Sequence, residues 1–261
     1  QLKNNNEQEE KMKQVVKVKG VVFGEGSPKI CIPIVGRTYE EIIMEAHRLA
    51  EIEFDVLELR IDFFKDVAES ESVIKLLREI RSLCTKPILF TFRTKQEGGE
   101  AQIESEQYVA LYRSVIDTGL ADMVDLELFL GDELVSSLAA YAKERQVVVV
   151  MSNHDFYKTP AKEEIINRLV RMQQLGADLP KIAVMPNSKK DVMTVLEATF
   201  EMSEKHRETP IITMSMGRLG VISRVAGELT GSAMTFATNG KASAPGQIPI
   251  EEMRQILSIM G

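Results

Sequence analysis

Lys181 is the residue whose surroundings most directly suggest chemistry. It opens the stretch Lys-Ile-Ala-Val-Met-Pro, in which Lys181, Ala183 and Met185 occupy every second position. Alternate residues of a β-strand share a face, so this spacing points the lysine to the same side as two apolar side chains. Burial disfavours an ammonium ion, and a neutral amine is a nucleophile toward ketones. The stretch predicts a Schiff-base lysine, and the alternative is a strand-edge lysine that extends into solvent.

His154 and Glu97 could supply the acid–base groups that such an amine needs. His154 follows a run of four valines, and an imidazole titrates near neutral pH, which suits a general acid/base. Glu97 could fix the tautomer of that imidazole. Arg60, Arg93 and Arg224 are candidates to bind a substrate carboxylate, because a guanidinium donates two parallel hydrogen bonds to it. These groups predict proton removal next to a carbonyl, followed by elimination or carbon–carbon cleavage.

The elements that would position these residues alternate regularly after Pro28. Short apolar runs predict strands at 30–35, 55–60, 87–92, 123–128, 147–152, 181–185, 210–214 and 233–236. Helical patterns predict helices at 38–51, 70–83, 104–118, 131–144, 160–175, 188–206, 217–229 and 249–260. Eight such units in about 250 residues predict an α/β fold of the (β/α)8 TIM-barrel type. A doubly wound open sheet is the alternative, but no Gly-x-Gly-x-x-Gly follows the first of these strands.

Charged and polar residues gather at the carboxyl ends of these predicted strands. Singly, each could be a solvated strand end or a structural ion pair, and Asp125 and Glu127 are expected to neutralise Arg60 and Arg93. In a barrel, however, the carboxyl ends of all strands meet at one mouth, where barrel enzymes place their catalytic residues. The residues concerned are Glu58, Arg60, Arg93, Glu97, Asp125, Glu127 and His154. Their convergence predicts an active site.

Composition restricts the other possibilities. The 261 residues carry a formal net charge of -7, which argues against a nucleic-acid-binding surface. No apolar run is long enough to span a membrane. Cys31 and Cys84 suggest no disulfide framework and no metal site, so a reducing, cytoplasmic setting is expected. The polar and charged composition of residues 1–12 predicts a disordered leader or a remnant of an expression tag. Residues 13–261 are expected to form a single catalytic domain. A β-hairpin over 15–23 is expected to close one end of the barrel.

Seven motifs occur in order between about Val15 and the C-terminus. They are Glu58-x-Arg60, Phe90-Thr91-Phe92-Arg93 with Glu97, Ser152-Asn153-His154-Asp155-Phe156, Lys181-Ile182-Ala183-Val184-Met185-Pro186, Met214-Ser215-Met216-Gly217, Ser223-Arg224, and Ser243-Ala244-Pro245-Gly246-Gln247. Together they resemble the type I 3-dehydroquinate dehydratase family. The set is highly specific, whereas Glu-x-Arg or Ala-Pro-Gly-Gln alone would not be.

The resemblance implies a (β/α)8 homodimer of the shikimate pathway, which supplies aromatic amino acid biosynthesis. Such enzymes convert 3-dehydroquinate to 3-dehydroshikimate by syn elimination of water through a lysine imine, with no metal and no organic cofactor. It implies that Lys181 forms the imine, that His154 transfers protons and that Glu97 supports His154. The residues expected around the substrate are Arg224 at its carboxylate, then Glu58, Arg60, Arg93, Met214, Met216 and Phe236, with Ser243, Ala244 and Gln247 in a lid loop spanning 237–247.

Two other functions share parts of this pattern. A class I aldolase acting on a sugar phosphate would also use Lys181, but it usually needs a phosphate site, and the Arg224 region suits a carboxylate better. A non-catalytic barrel that binds an anionic metabolite would not require a lysine, a histidine and a glutamate together.

Overall fold

The strands and helices follow the predicted alternation closely. The computed structural model describes residues 14–260, so the leader predicted at 1–12 lies outside the described residues. The strands in this range are β1 (Val16–Val18), β2 (Val21–Phe23), β3 (Lys29–Ile34), β4 (Val56–Arg60), β5 (Ile88–Thr91), β6 (Met123–Glu127), β7 (Val148–Asp155), β8 (Leu179–Val184), β9 (Ile212–Ser215), β10 (Met234–Thr238) and β11 (Ile248–Pro249). The α-helices are α1 (Tyr39–Leu49), α2 (Ser70–Leu83), α3 (Ser105–Asp117), α4 (Asp132–Glu144), α5 (Lys162–Gln174), α6 (Lys189–Lys205), α7 (Ile222–Val225), α8 (Gly227–Thr230) and α9 (Ile250–Met260).

Strands β3 to β10 lie side by side in chain order as one parallel sheet. The first of them, β3, lies between β4 and β10, because Cys31 is paired with Val56 on one side and with Phe236 on the other. The remaining seam, between β9 and β10, is held by a single parallel bridge between Ile211 and Ser232. The sheet therefore returns on itself, and the predicted TIM barrel is confirmed.

The helices present one apolar stripe to the outside of this sheet. In α2 the buried side chains are Val73, Leu76, Leu77 and Ile80, which recur at the three- and four-residue spacing of one helix face. Each such side chain contributes roughly 1.5–3 kcal/mol when it is fully buried. None of the helices within residues 14–260 has the length and apolar character needed to cross a membrane.

The two-residue period of each strand separates an outer apolar layer from the barrel interior. On β6, Val124 and Leu126 belong to the layer packed by helices, whereas Met123 belongs to a second apolar cluster inside the barrel. Asp125 and Glu127 lie two and four residues after Met123, on the same face of the strand, so their carboxylates also point inward. The same alternation holds on the other strands, and it explains why polar groups can meet inside the barrel above an apolar floor.

The predicted hairpin is confirmed and closes the amino-terminal end of the barrel. Strands β1 and β2 pair in antiparallel fashion. Val18 and Phe23 of the hairpin are buried in the inner cluster, together with Val56, Leu89 and Met123 at the starts of barrel strands. Water is thereby kept from the floor of the barrel, and the opposite mouth is left for the polar residues.

Two predicted boundaries differ from the structure by more than two residues, and the first concerns the fifth barrel strand. The valine run predicts its end at residue 152, but β7 continues to Asp155. The extra length comes from pairing with β8, in which His154 is the Cα partner of Ala183 and Asp155 that of Val184. His154 therefore stands on a rigid strand and not in a loop.

The second concerns the helix predicted at 217–229, which is replaced by the short helices α7 and α8. Gly217 has a φ of 68°, outside the helical region. Gly220 lies so close to the carbonyl oxygen of Ser215 that a Cβ would come within 2.2 Å of it. This tight loop delays the helix until Ile222 and turns Arg224 inward, where it is 2% exposed.

Candidate active site

A cavity of about 440 Å³ occupies the carboxyl-terminal mouth of the barrel. Twelve of the thirteen predicted site residues line it: Glu58, Arg60, Arg93, Glu97, His154, Lys181, Met214, Met216, Phe236, Ser243, Ala244 and Gln247. Gly98, Phe156 and Ala183 complete its wall. The thirteenth residue, Arg224, lies behind this wall, where Nη1 is 3.7 Å from the sulfur of Met214.

Lys181 reaches this cavity from the third residue of β8 and is 3% exposed. Its Nζ donates to Asp125 Oδ2 at 3.1 Å, and it lies 4.5 Å from the centre of the Phe236 ring. Ala183, the next residue on the same face of β8, carries only a methyl group, so it leaves space for the long lysine side chain. The lysine is therefore buried and paired, and the alternative of a strand-edge lysine in solvent is wrong.

His154 and Glu97 form a hydrogen-bonded pair at the side of the cavity. Glu97 Oε2 lies 2.9 Å from Nδ1 of His154 and accepts from the backbone N–H of the same residue at 2.9 Å. A neutral imidazole that donates from Nδ1 keeps Nε2 free to take a proton. Burial, Arg93, Lys181 and Arg60 together hold the pKa of His154 well below its usual range. The neutral, basic form is thus favoured at neutral pH.

Burial and the Glu127 carboxylate act on Glu97 in the opposite direction. They raise the pKa of Glu97 to about 8, although Arg93 and a hydrogen bond from Asn153 favour the ionised form. Glu97 therefore retains a proton more readily than an ordinary carboxyl group, whereas His154 releases one more readily than an ordinary imidazole.

A tight turn carries Glu97 to its place. Gly98 has a φ of 86°, a conformation that favours glycine. A Cβ at this position would come within 2.2 Å of the Phe156 ring. The absent side chain allows the Glu97 loop to pack against Phe156, only two residues from His154, so the carboxylate and the imidazole are held together.

Two of the three candidate carboxylate-binding arginines already have acidic partners. Arg93 Nη2 lies 2.8 Å from Asp125 and Nη1 lies 2.9 Å from Glu127. Arg60 donates from Nε and Nη2 to the two oxygens of Asp62, at 2.8 and 2.9 Å. The expectation that Asp125 and Glu127 would share Arg60 and Arg93 is thus right for Arg93 and wrong for Arg60.

Arg224 differs, because no carboxylate within residues 14–260 is paired with it. Nη2 donates to the carbonyl of Pro245 at 2.8 Å, and Nε is buried without a hydrogen-bond partner within that range. Burial lowers the pKa of Arg224 to about 10, so the side chain stays charged at neutral pH. A buried guanidinium with spare donors is a suitable group to receive a substrate carboxylate.

The loop after β10 covers the mouth. Ala237 and Thr238 belong to β10, so the covering segment is 239–247 and not 237–247. Ser243 donates its backbone N–H to Gln247 Oε1 at 2.9 Å, and Gln247 Nε2 donates to the Ser243 hydroxyl at 3.0 Å. Arg60 approaches the Ser243 carbonyl at 3.5 Å. Ser243 and Gln247 thereby line the same cavity as Lys181 and His154.

Sequence reasoning missed several residues that hold this site together. Asp62 accepts from the Arg93 and Glu100 backbone N–H groups as well as from Arg60, and its position two residues after Arg60 was an available signal. The contact between Asp125 and Lys181 had no signal, because 56 residues separate them. Within residues 14–260, no group of three or more histidine, cysteine or acidic side chains is arranged to hold a metal ion.

Comparisons with known proteins agree on one family. The family model for type I 3-dehydroquinase matches residues 30–261. A 3-dehydroquinate dehydratase of Salmonella agona is 53% identical over 248 residues, which cover 95% of this chain and 98% of that protein. The type I enzyme of Clostridium difficile, solved with covalently modified comenic acid, superposes with a TM-score of 0.93 at 50% identity over 95% of this chain and 98% of that one. The 3-dehydroquinate dehydratase of Enterococcus faecalis superposes with a TM-score of 0.88 at 43% identity, over 94% of this chain and 98% of that one. The chain therefore belongs to the type I 3-dehydroquinase family.

Proposed function

We propose that this chain dehydrates 3-dehydroquinate to 3-dehydroshikimate in the shikimate pathway, through an imine on Lys181. One observation carries the proposal. Lys181 and His154 line the same cavity from neighbouring strands, and Ala183, the Cα partner of His154, lies two residues after the lysine. A nucleophilic amine and a base are thus held on one side of whatever the cavity binds.

The reaction begins when the neutral amine of Lys181 attacks the ring ketone and water leaves, which forms an iminium ion. The iminium withdraws electrons from the adjacent carbon, so that its proton becomes acidic enough for His154 to remove. The enamine that results expels the hydroxyl group one carbon further on, as His154 returns a proton to the departing oxygen. Because one imidazole serves both steps, the two groups leave from the same face. Water then releases the product from Lys181.

The other cavity residues orient the substrate. Glu58 accepts from the Thr91 hydroxyl at 2.9 Å and faces the cavity, so it can also accept from a substrate hydroxyl. Arg60 and Arg93 are held by their acidic partners, and both side chains line the cavity. Met214, Met216 and Phe236 give the cavity its shape, and Ser243, Ala244 and Gln247 close it from above.

Arg224 is the proposed partner of the substrate carboxylate, which would take the place of the Pro245 carbonyl. Replacement of Arg224 by alanine should raise KM about 10- to 100-fold and change kcat much less, because a charged hydrogen bond contributes roughly 1.5–3 kcal/mol. Steady-state kinetics test this, with Arg218→Ala as the control at an exposed neighbour. Arg224→Lys should recover only part of the affinity, since an ammonium ion cannot form the paired contact. An unchanged KM in Arg224→Ala would reject the assignment.

The same arginine argues against the aldolase alternative. Within residues 14–260, Arg60 and Arg93 are neutralised by carboxylates, so Arg224 alone of the three is unpaired. One guanidinium suits a monoanionic carboxylate better than the dianion of a sugar phosphate, which would also lie near Glu58 and Glu97.

Borohydride trapping tests the function directly. Incubation with 3-dehydroquinate and borohydride should leave one reduced adduct on Lys181, located by peptide mass spectrometry. Without borohydride, the absorbance of a conjugated enone should appear. If folded protein gave neither signal, the proposal would be rejected, and an adduct with a sugar phosphate alone would favour an aldolase.

We also propose that residues 13–261 act as one catalytic domain in a cytoplasmic homodimer. The family match over 30–261 supports the single domain, and the free, buried Cys31 and Cys84 support a reducing compartment, which cell fractionation can check. Met193 and Phe200 lie seven residues apart on α6 and are 54% and 55% exposed, and Leu229 of the adjacent α8 is 78% exposed. This apolar surface supports self-association. Sedimentation at the mass of a single chain would contradict the dimer.

A further inference from the structure

We propose that Asp125 is the counter-ion of the iminium formed on Lys181 and keeps that imine protonated during the reaction. The inference rests on the proposed function, since it concerns the intermediate of that reaction. It assigns a role to a carboxylate that sequence reasoning treated only as a structural partner for an arginine.

The geometry of Asp125 is suited to this role. The side chain is fully buried, and Oδ2 accepts from Lys181 Nζ at 3.1 Å. The other oxygen, Oδ1, accepts from the Ser152 hydroxyl at 2.5 Å, and Oδ2 lies 2.8 Å from Arg93 Nη2. Because both oxygens are held, the carboxylate cannot turn away when the lysine reacts. Within residues 14–260, Asp125 provides the one hydrogen bond that Nζ makes.

The charges around Asp125 keep it ionised. Although burial alone favours the neutral acid, Arg93 and Lys181 lower the pKa of Asp125 to about 2. Arg93 is also balanced by Glu127, so the nearest negative charge left for the lysine nitrogen is that of Asp125. The Phe236 ring below the same nitrogen adds a weaker attraction for a cation.

The chemistry requires the proton that Asp125 would hold. When the amine adds to the ketone and water departs, the nitrogen of the C=N bond keeps one hydrogen and carries a positive charge. That hydrogen can occupy the hydrogen bond that Lys181 Nζ already donates to Asp125. When His154 removes the proton from the adjacent carbon, the electron pair of the C–H bond moves toward nitrogen and neutralises it. An imine that had lost its N–H proton would accept this pair far less readily.

Other ionisable groups face the same space, and they define the controls. Cys31 interacts electrostatically with both Asp125 and Lys181, and burial raises the pKa of this thiol well above its usual value, so it stays neutral. Glu58 and His154 line the cavity above. Glu127 is the matched control for Asp125, because it lies two residues along β6 and also pairs with Arg93, but makes no hydrogen bond to Lys181 among those the structure describes.

Two reductants test the inference with 3-dehydroquinate as the ligand. Cyanoborohydride reduces protonated imines selectively, whereas borohydride also reduces neutral ones. In Asp125→Asn the ratio of cyanoborohydride to borohydride trapping at neutral pH should fall about tenfold, which is the result expected when the imine pKa lies about one unit below the pH of the measurement. kcat should fall by roughly 10²-fold, as for the loss of other preorganised electrostatic contacts. Glu127→Gln should keep the wild-type trapping ratio.

An unchanged trapping ratio in folded Asp125→Asn would overturn the inference, even if kcat fell. If that variant does not fold by circular dichroism, the wild-type protein decides the question. Its trapping ratio should stay within about twofold between pH 7 and about pH 8.5, because the counter-ion favours the charged form, and a steep fall over this range would reject the role of Asp125. Failure of the proposed function is distinguishable, since the wild-type protein would then form no adduct with either reductant.

Discussion

Replacement of Lys181 by alanine is expected to abolish turnover and covalent trapping together. The amine is the only group in the proposed reaction that can bond to the substrate carbon, and without an iminium the adjacent proton is not acidic enough for His154. Loss of a covalent nucleophile lowers kcat by about 10⁴-fold or more in enzymes that depend on one. The measurements are the rate of enone formation and the intact mass after borohydride treatment.

The controls for this variant separate chemistry from folding. Lys181→Met preserves most of the side-chain volume without an amine, and Asp125 keeps its contacts with Arg93 and Ser152 in both variants. Lys158→Ala, at an exposed lysine beyond β7, should trap and turn over like the wild type. Substantial turnover or trapping in folded Lys181→Met would show that another amine carries the reaction.

The barrel could be predicted from sequence because its information is local. The spacing of apolar residues within each segment predicts a strand or a helix, and the count of eight such units favours closure of the sheet into a barrel. The alternation on β6 also shows how far local reasoning extends, because it puts Asp125 and Glu127 on the inner face. Twelve of the thirteen site residues that the strand pattern and the family resemblance together predicted line one cavity.

The remaining features depend on contacts between segments that lie far apart in the chain. The end of β7 is set by its pairing with β8. The helix predicted at 217–229 begins late because Gly220 approaches Ser215 closely. Neither neighbour can be identified from the pattern of the segment itself. The partner of Arg60 was misassigned for the same reason, because the alternation of side chains along a strand does not show which inward-facing carboxylate is nearest.

The three arginines show what geometry adds to residue type. By type alone, Arg60, Arg93 and Arg224 are equal candidates for a carboxylate. In the structure the ion pairs rank them, because each of the first two already has two guanidinium nitrogens within 2.9 Å of carboxylate oxygens, whereas Arg224 donates to a backbone carbonyl. A guanidinium whose charge is already balanced gains less from a further anion. The physical reason for this ranking is electrostatic, and at the sequence level only the family resemblance singled out Arg224.

Replacement of His154 by alanine is expected to slow turnover by roughly 10²- to 10⁴-fold, the usual contribution of a positioned acid–base group, while the imine still forms. Lys181 and Asp125 do not depend on the imidazole for their contact, so the variant should accumulate the iminium. Borohydride should then trap it at least as completely as in the wild type. Single-turnover absorbance and adduct mass measure the two steps separately.

The pH dependence distinguishes a base from a merely structural histidine. Because burial, Arg93 and Lys181 lower the pKa of His154, its basic form persists as the pH falls through the ordinary range of histidine. The acidic limb of wild-type kcat/KM should therefore lie below that range, and this limb should vanish from the residual activity of His154→Ala. His47→Ala, at an exposed position on α1, serves as the control.

If His154→Ala lost trapping along with turnover although it remained folded, the imidazole would be needed for imine formation, and the assignment of His154 to proton transfer after that step would be wrong.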